Sequence, residues 1–139
     1  MISKKVYIAP SAFYSFIDRA HPKNEQTSAF FRYFGEQGYT LFTDTNTLAE
    51  TYNRIYKEIS PSLSKDFLRT IFLGNINIIY PEESDIKAAL KTLVSYQSTE
   101  LNFSQALRAV LANRRGINQI FTLEYLHPLF GQSIFYLPI

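Results

Sequence analysis

Few side chains in this 139-residue chain could do chemistry, and their types exclude more than they include. There are no cysteines, so disulfides, zinc–thiolate sites and thiol nucleophiles are out. His21 and His127 both precede proline and have no serine, aspartate or second histidine at ligand or triad spacing. Both read as turn residues. None of the five glycines belongs to a phosphate-cradling loop, which removes the main support for nucleotide binding. Arg108, Arg114 and Arg115 share one helix, with Arg54, Lys57, Lys65, Arg69, Lys87 and Lys91 on others. As a nucleic-acid surface they would contact phosphates without reading sequence. A formal net charge of only +2 favours the plainer reading, ordinary solvated helix faces.

The elements that must position these residues follow from the apolar pattern. The length is that of one domain able to bury a core. Val6-Tyr7-Ile8 is a short buried strand, and Pro10 suits the first turn of a helix that carries Ala12, Phe13, Phe16 and Ile17 to about Arg19-Ala20. A second helix fits Glu25 to Gly35, and Tyr39 to Phe42 a second strand. Thr43 to Thr47 offers several capping side chains to a helix with Leu48, Tyr52, Ile55, Tyr56 and Ile59 on one stripe. Ser60-Pro61 opens the next, with Leu63, Phe67, Leu68, Ile71 and Phe72 facing inward.

Ile76 to Tyr80 is the clearest strand, followed by a helix carrying Ile86, Ala89, Leu90, Leu93 and Val94. A polar loop over Tyr96 to Asn102 leads to a helix with Phe103, Ala106, Leu107, Val110 and Leu111. Gln119 to Thr122 is a strand, Glu124 to Phe130 a short helix, and Ile134 to Leu137 a last strand. Strands alternating with helices predict a three-layer α/β fold with a mostly parallel sheet of about five strands. The strand ends of such a sheet open onto the crevice where ligands bind. The apolar run Val6 to Ala9 is too short for a signal peptide or membrane span, so a cytoplasmic protein away from membranes is expected.

Four stretches in order resemble the motifs of PIN domains, most of all the small VapC-type ribonuclease toxins. Val6-Tyr7-Ile8-Ala9-Pro10-Ser11-Ala12-Phe13 resembles the opening strand, where the family has Asp-Thr/Ser-Ser-Ala after the apolar residues. Thr43 to Thr51 resembles the second motif, with Glu50 at its glutamate. Leu101-Asn102-Phe103-Ser104-Gln105-Ala106 resembles the third, normally Leu-Ser-Phe-Thr-Asp-Ala. Ile120-Phe121-Thr122-Leu123-Glu124 resembles the fourth, normally Phe-Thr-Phe-Asp. The likeness spans essentially the whole chain and implies the PIN fold.

It also implies a site of three or four carboxylates holding Mg²⁺ or Mn²⁺, hard cations that suit such ligands. Here two of the four acids are missing. Ala9 stands at the first and most central one, and Gln105 at the third. Asp18 is no ready substitute, roughly 12 Å along a helix that rises about 1.5 Å per residue. Glu50 and Glu124 fit the second and fourth positions, and Glu100 or Asp44 would be substitutes for a lost acid. Each has a structural alternative. Thr47 and Glu50 have capping-box spacing, and Glu50 and Arg54 the spacing of an ion pair. Glu124 suits a helix first turn. Asp44 and Asn46 read as caps before ligands.

Ser11, Asn46 and Ser104 would line a nucleic-acid cleft, Ser11 having the alternative of a plain first-turn residue. Mg²⁺ can bind through one or two protein carboxylates when substrate phosphates add the rest. The leading expectation is therefore a degenerate VapC-like protein, its nuclease activity lost or weak, that binds RNA or an antitoxin-like protein. The alternatives are a live Mg²⁺/Mn²⁺-dependent endoribonuclease using Glu50 and Glu124, and a homodimeric interaction module.

Overall fold

A computed structural model describes residues 4–95 and 101–124 and the backbone of residues 133–136. In chain order the elements are β1 (Lys5–Ile8), α1 (Pro10–Ile17), α2 (Asn24–Glu36), β2 (Thr40–Asp44), α3 (Thr45–Glu58) and α4 (Pro61–Leu73). They continue with β3 (Ile76–Ile79), α5 (Glu83–Ser95), α6 (Phe103–Arg114), β4 (Gln119–Thr122) and β5 (Ser133–Tyr136). The five strands form one sheet in the order β3-β2-β1-β4-β5, every pair parallel. The expected helix over Glu124 to Phe130, His127, Glu100 and most of the expected polar loop lie outside the described residues.

The sheet is covered on both faces, as parallel sheets with crossover helices are. On one face Val6, Ile8 and Phe121 pack with Phe13, Phe34, Ile55, Phe67 and Ile71 of α1 to α4. On the other, Tyr7 and Ile120 pack with Ala89 of α5 and with Ala106, Leu107, Val110 and Leu111 of α6. Successive residues of β1 serve opposite layers because side chains alternate along a strand. The chain winds from β1 out to β3 and then returns to place β4 on the other side of β1. The strand order therefore reverses between β1 and β4, and a crevice at their C-terminal ends follows.

Three local expectations are corrected. Helix α1 stops at Ile17, short of Arg19-Ala20, because Asp18 turns extended and its Oδ1 accepts the Ala20 N–H at 3.0 Å. Helix α2 runs past Gly35 to Glu36, and the chain turns at Gly38, whose φ of 74° a side chain disfavours. Strand β2 runs on to Asp44, two residues past Phe42.

The helical stripes also turn out rotated. On α5, Ile86, Leu90 and Val94 point outward, Val94 being 90% exposed, and on α4 Phe72 is exposed too. The cause on α5 is Asp85, which is buried instead. Its Oδ1 accepts from Arg114 at 2.9 Å, and its Oδ2 accepts from the Glu82 N–H at 2.9 Å and from Arg115 at 3.5 Å. That anchor ties the start of α5 to the end of α6, while Ala89 and Leu93 of the expected stripe keep their place against the core.

Burial alone would push the Asp85 carboxyl up, but the Glu82 N–H and the two arginines pull it below the ordinary range. A carboxyl so lowered stabilises the fold above its unfolded pKa of about 3.9, and the contribution fades as pH falls through the lower folded value. Asp85→Asn should therefore cost about 2 kcal/mol near neutrality and flatten the acid limb of the stability curve. Urea titrations across acid and neutral pH check it; an acid limb identical to the parent's would disprove it.

Candidate functional site

The crevice gathers the C-terminal end of β1, the β2–α3 junction, the first turns of α6 and the end of β4. Ala9 follows β1 and caps α1 with its backbone alone, at φ −83° and ψ 161°, with no side-chain hydrogen bond. It is buried, and its N–H donates to the Phe121 carbonyl of β4 at 3.0 Å. At the centre of the sheet, then, stands a methyl group without a ligand atom.

On the β2 side, Asp44 is fully buried and caps α3. Its Oδ1 accepts the Thr47 N–H at 2.8 Å, and its Oδ2 accepts the Thr47 hydroxyl at 2.7 Å. Oδ2 also accepts the hydroxyl of Tyr7, which reaches across from β1. Burial, then the Asp44 charge and this hydrogen bond, push the Tyr7 phenol well above its ordinary range, with Arg108 and Arg115 opposing. Asp44 is thus committed to the fold as a cap.

Glu50 does neither of the structural tasks its spacing allowed. The cap belongs to Asp44, so Thr47 and Glu50 form no capping box. Arg54 pairs instead with Glu58 at 3.1 Å, its guanidinium 3.8 Å from the centre of the Tyr14 ring. Glu50 Oε1 accepts the Ser104 hydroxyl from the facing helix α6, and the Ser104 oxygen accepts from Asn46 Nδ2 at 3.1 Å. Glu50, Ser104 and Asn46 therefore form one polar lip between α3 and α6.

Gln105 is a cap. Its Oε1 accepts the Asn102 N–H at 3.1 Å, while Asn102 Oδ1 accepts the Gln105 N–H at 2.9 Å. This reciprocal pair satisfies two free N–H groups at the start of α6. Ser11 is also spent internally: its oxygen accepts the Leu123 N–H at 2.9 Å and lies 3.2 Å from the Thr122 hydroxyl, fastening α1 to the end of β4. Glu124 sits exposed in the turn after β4, its N–H donating to the Thr122 hydroxyl oxygen at 3.1 Å.

The fold brings the four motif positions to one end of the sheet. Among the described residues no three acidic, histidine or cysteine side chains stand close enough to hold a metal ion. Ala9 has no donor, the Gln105 oxygen is taken by Asn102, and both Asp44 oxygens are taken.

The basic residues divide. Arg54, Arg69 and Lys87 form exposed ion pairs along their own helices, as solvated faces do. Arg108 overturns that reading for its helix, being only 5% exposed. The sequence carried a signal for this. Arg108 interrupts the run Ala106-Leu107-Arg108-Ala109-Val110-Leu111-Ala112, and a helix apolar all round is a buried one.

No family model matches the chain, and no curated protein does. Solved structures match well. VapC20 of Mycobacterium tuberculosis, a sarcin–ricin loop cleaving toxin, superposes with a TM-score of 0.76 at 13% identity, over 86% of this chain and 89% of its own. VapBC2 from Rickettsia felis, bound to a DNA fragment from their promoter, gives 0.73 at 15% identity, over 95% and 98%. At such identity the likeness speaks for the fold alone, which is that of VapC-type PIN domains. No helix among the described residues is long and apolar enough to cross a membrane.

Proposed function

We propose that this chain, which has the fold of VapC-type PIN domains, binds single-stranded RNA in its strand-end crevice without cleaving it by metal chemistry. The observation that carries the reading is the state of the two acid positions flanking the crevice. One is Ala9, capping α1 with backbone only, and the other is Gln105, whose oxygen caps α6. A metal nuclease needs charged ligands to hold its cation and raise a nucleophile at neutral pH. Glu50, tied to Ser104, and Glu124, exposed after β4, are the acids left at the four positions, and they supply little of that.

RNA as the ligand class is carried over from the VapC20 neighbour, a loop-cleaving toxin. The Asn46 and Ser104 lip offers uncharged hydrogen-bonding groups to a strand. The test is a gel-shift and cleavage assay on single-stranded RNA with and without Mn²⁺. Binding without cleavage is expected. Mn²⁺-dependent cleavage that Glu50→Ala abolishes would overturn the reading.

A second reading, an antitoxin-like protein partner, is favoured by one feature. An apolar groove lies between α1, α2 and α4, lined by Phe13, Phe16, Phe31, Phe67 and Ile71. The VapBC2 neighbour points the same way. Absence of any RNA shift, together with tight binding of a protein partner, would put this reading first.

A further inference from the structure

The sheet ends at β3, and that edge is open. β3 lies outermost in the order β3-β2-β1-β4-β5 and pairs on one side only, with β2. Its register with β2 runs unbroken from Ile76 opposite Leu41 to Ile79 opposite Asp44, so no bulge turns the edge away. Alternate residues of such a strand point their N–H and C=O groups outward, where another chain can pair with them. Proteins commonly blunt an edge with a charge or a proline. Apart from its four-residue length, β3 has no such device within it. No charged residue stands anywhere between Arg69 and Glu82. Asn77, the one polar side chain of the strand, turns back on its own sheet and donates to the Leu41 carbonyl at 3.2 Å.

The apolar surface beside this edge is exposed as well. Phe72 and Leu73, at the end of α4 just before the strand, are 75% and 88% exposed, and Tyr80, which follows the strand, is 70% exposed. None is more than four residues from β3 along the chain, so all three stand next to the edge. On the opposite face of the sheet, Ile86 and Leu90 of α5 extend the patch. Helix α5 meets α6 through Ala88 and Thr92, which line a groove with Val110 and Asn113. It meets the core through Ala89, in the same cluster as Ile79 of β3. Leu90 lies about 160° round the helix from both Ala88 and Thr92, so it faces away from α6. Since α6 covers β1 and β4, that is the side of the edge strand.

We propose that a second copy of this chain docks here, β3 pairing antiparallel with its counterpart across a two-fold axis so that two five-stranded sheets become one. Two arguments favour a second copy over a different partner. A two-fold contact sets each patch against itself, so a charged patch would repel its own copy. The stretch from Thr70 to Pro81 carries no charge to do so. The area also suits. A stable interface takes roughly 800 Å² from each partner. Aromatic side chains bury about 150–250 Å² apiece, so Phe72 and Tyr80, with Leu73, Ile86 and Leu90 around them, supply much of it. The pairing stands independently of RNA binding in the crevice.

Sedimentation velocity across a wide range of protein concentration reads the assembly, and hydrogen exchange of the β3 amides reads the edge. The parent should form a dimer, and exchange in β3 should slow as the dimer fills. Leu73→Lys changes an exposed side chain, so the melting temperature of dilute protein should not move. It enters a two-fold interface twice, and should raise the dimer dissociation constant at least about tenfold. Asn77→Lys should weaken the dimer likewise, by setting like charges against each other across the axis. A dimer that survives both substitutions, or that leaves β3 exchange unchanged, would overturn this surface. A parent that stays monomeric would overturn the second copy and leave the edge to an extended segment of another protein. Open-ended assemblies would overturn the two-fold, because β3 meeting the far edge of the next copy does not close.

Discussion

Asp44→Ala should destabilise the fold by roughly 3 kcal/mol or more, the sum of a lost helix cap and two buried hydroxyls left without their acceptor. Three donors converge on this one fully buried carboxylate: the Thr47 N–H, the Thr47 hydroxyl and the Tyr7 hydroxyl. The groups that the alanine would orphan, on Thr47 and Tyr7, are themselves buried. Tyr7→Phe should cost less, about 1 kcal/mol, because Asp44 then keeps both Thr47 donors. The two differ again with pH. The Tyr7 phenol is held well above its ordinary range, by burial first and the Asp44 charge second. A group whose folded pKa is raised stabilises the fold below its unfolded value, about 10 for tyrosine, and the contribution is lost as pH rises through the folded value. Tyr7→Phe should therefore soften the alkaline loss of stability above about pH 10. Tyr14 and Tyr39, whose phenols are also raised, keep their share of it. Urea midpoints at neutral and alkaline pH measure both effects. A loss under about 1 kcal/mol for Asp44→Ala would mean that α3 finds another cap.

The same junction marks where sequence reasoning stops. Apolar runs located β1, β3 and β4, and helical spacing located every described helix, because those patterns record one-dimensional periods. Which face of a helix wins is not a one-dimensional question. Of the α5 stripe, Ala89 and Leu93 meet the core as their spacing predicts, yet Ile86, Leu90 and Val94 face outward and Asp85 is buried. Nothing local says that Arg114 and Arg115, about 30 residues away, will meet it. Asp44 has the same character. It was readable as a cap, but its third donor comes from Tyr7, 37 residues earlier, on a neighbouring strand. At the crevice, the four motif positions fixed where to look, and Ala9 and Gln105 were visible as departures. Asn102 and Gln105, three residues apart, have capping-box spacing, so the use of Gln105 as a cap is local and legible, whereas the burial of Arg108 shows only in its apolar neighbours.

Putting the two missing acids back should create what the parent chain lacks. In Ala9→Asp/Gln105→Asp, Mn²⁺ should raise the melting temperature, and in the parent it should not. Metal at about a hundredfold over its dissociation constant would stabilise the folded state by about 2.7 kcal/mol. The backbone is ready for the first change. Position 9 is extended, heads α1 and uses no side-chain cap, so an aspartate there could accept a free first-turn N–H and sit at the favourable end of the helix. That offsets the cost of a carboxylate at a buried position, and Ala9→Asp alone should stay within about 1 kcal/mol of the parent. Gln105→Asp shortens the arm that reaches the Asn102 N–H and should lose about 1 kcal/mol. Each single change brings one charge beside Glu50, too few to hold the cation. Together they raise the acid count at the strand ends to a number a divalent ion can use. A Mn²⁺ effect already present in the parent would overturn the loss of the cation site. No effect in a folded double variant would mean that the crevice walls, Glu50 against Ser104 above all, have moved too far for restored charges to converge.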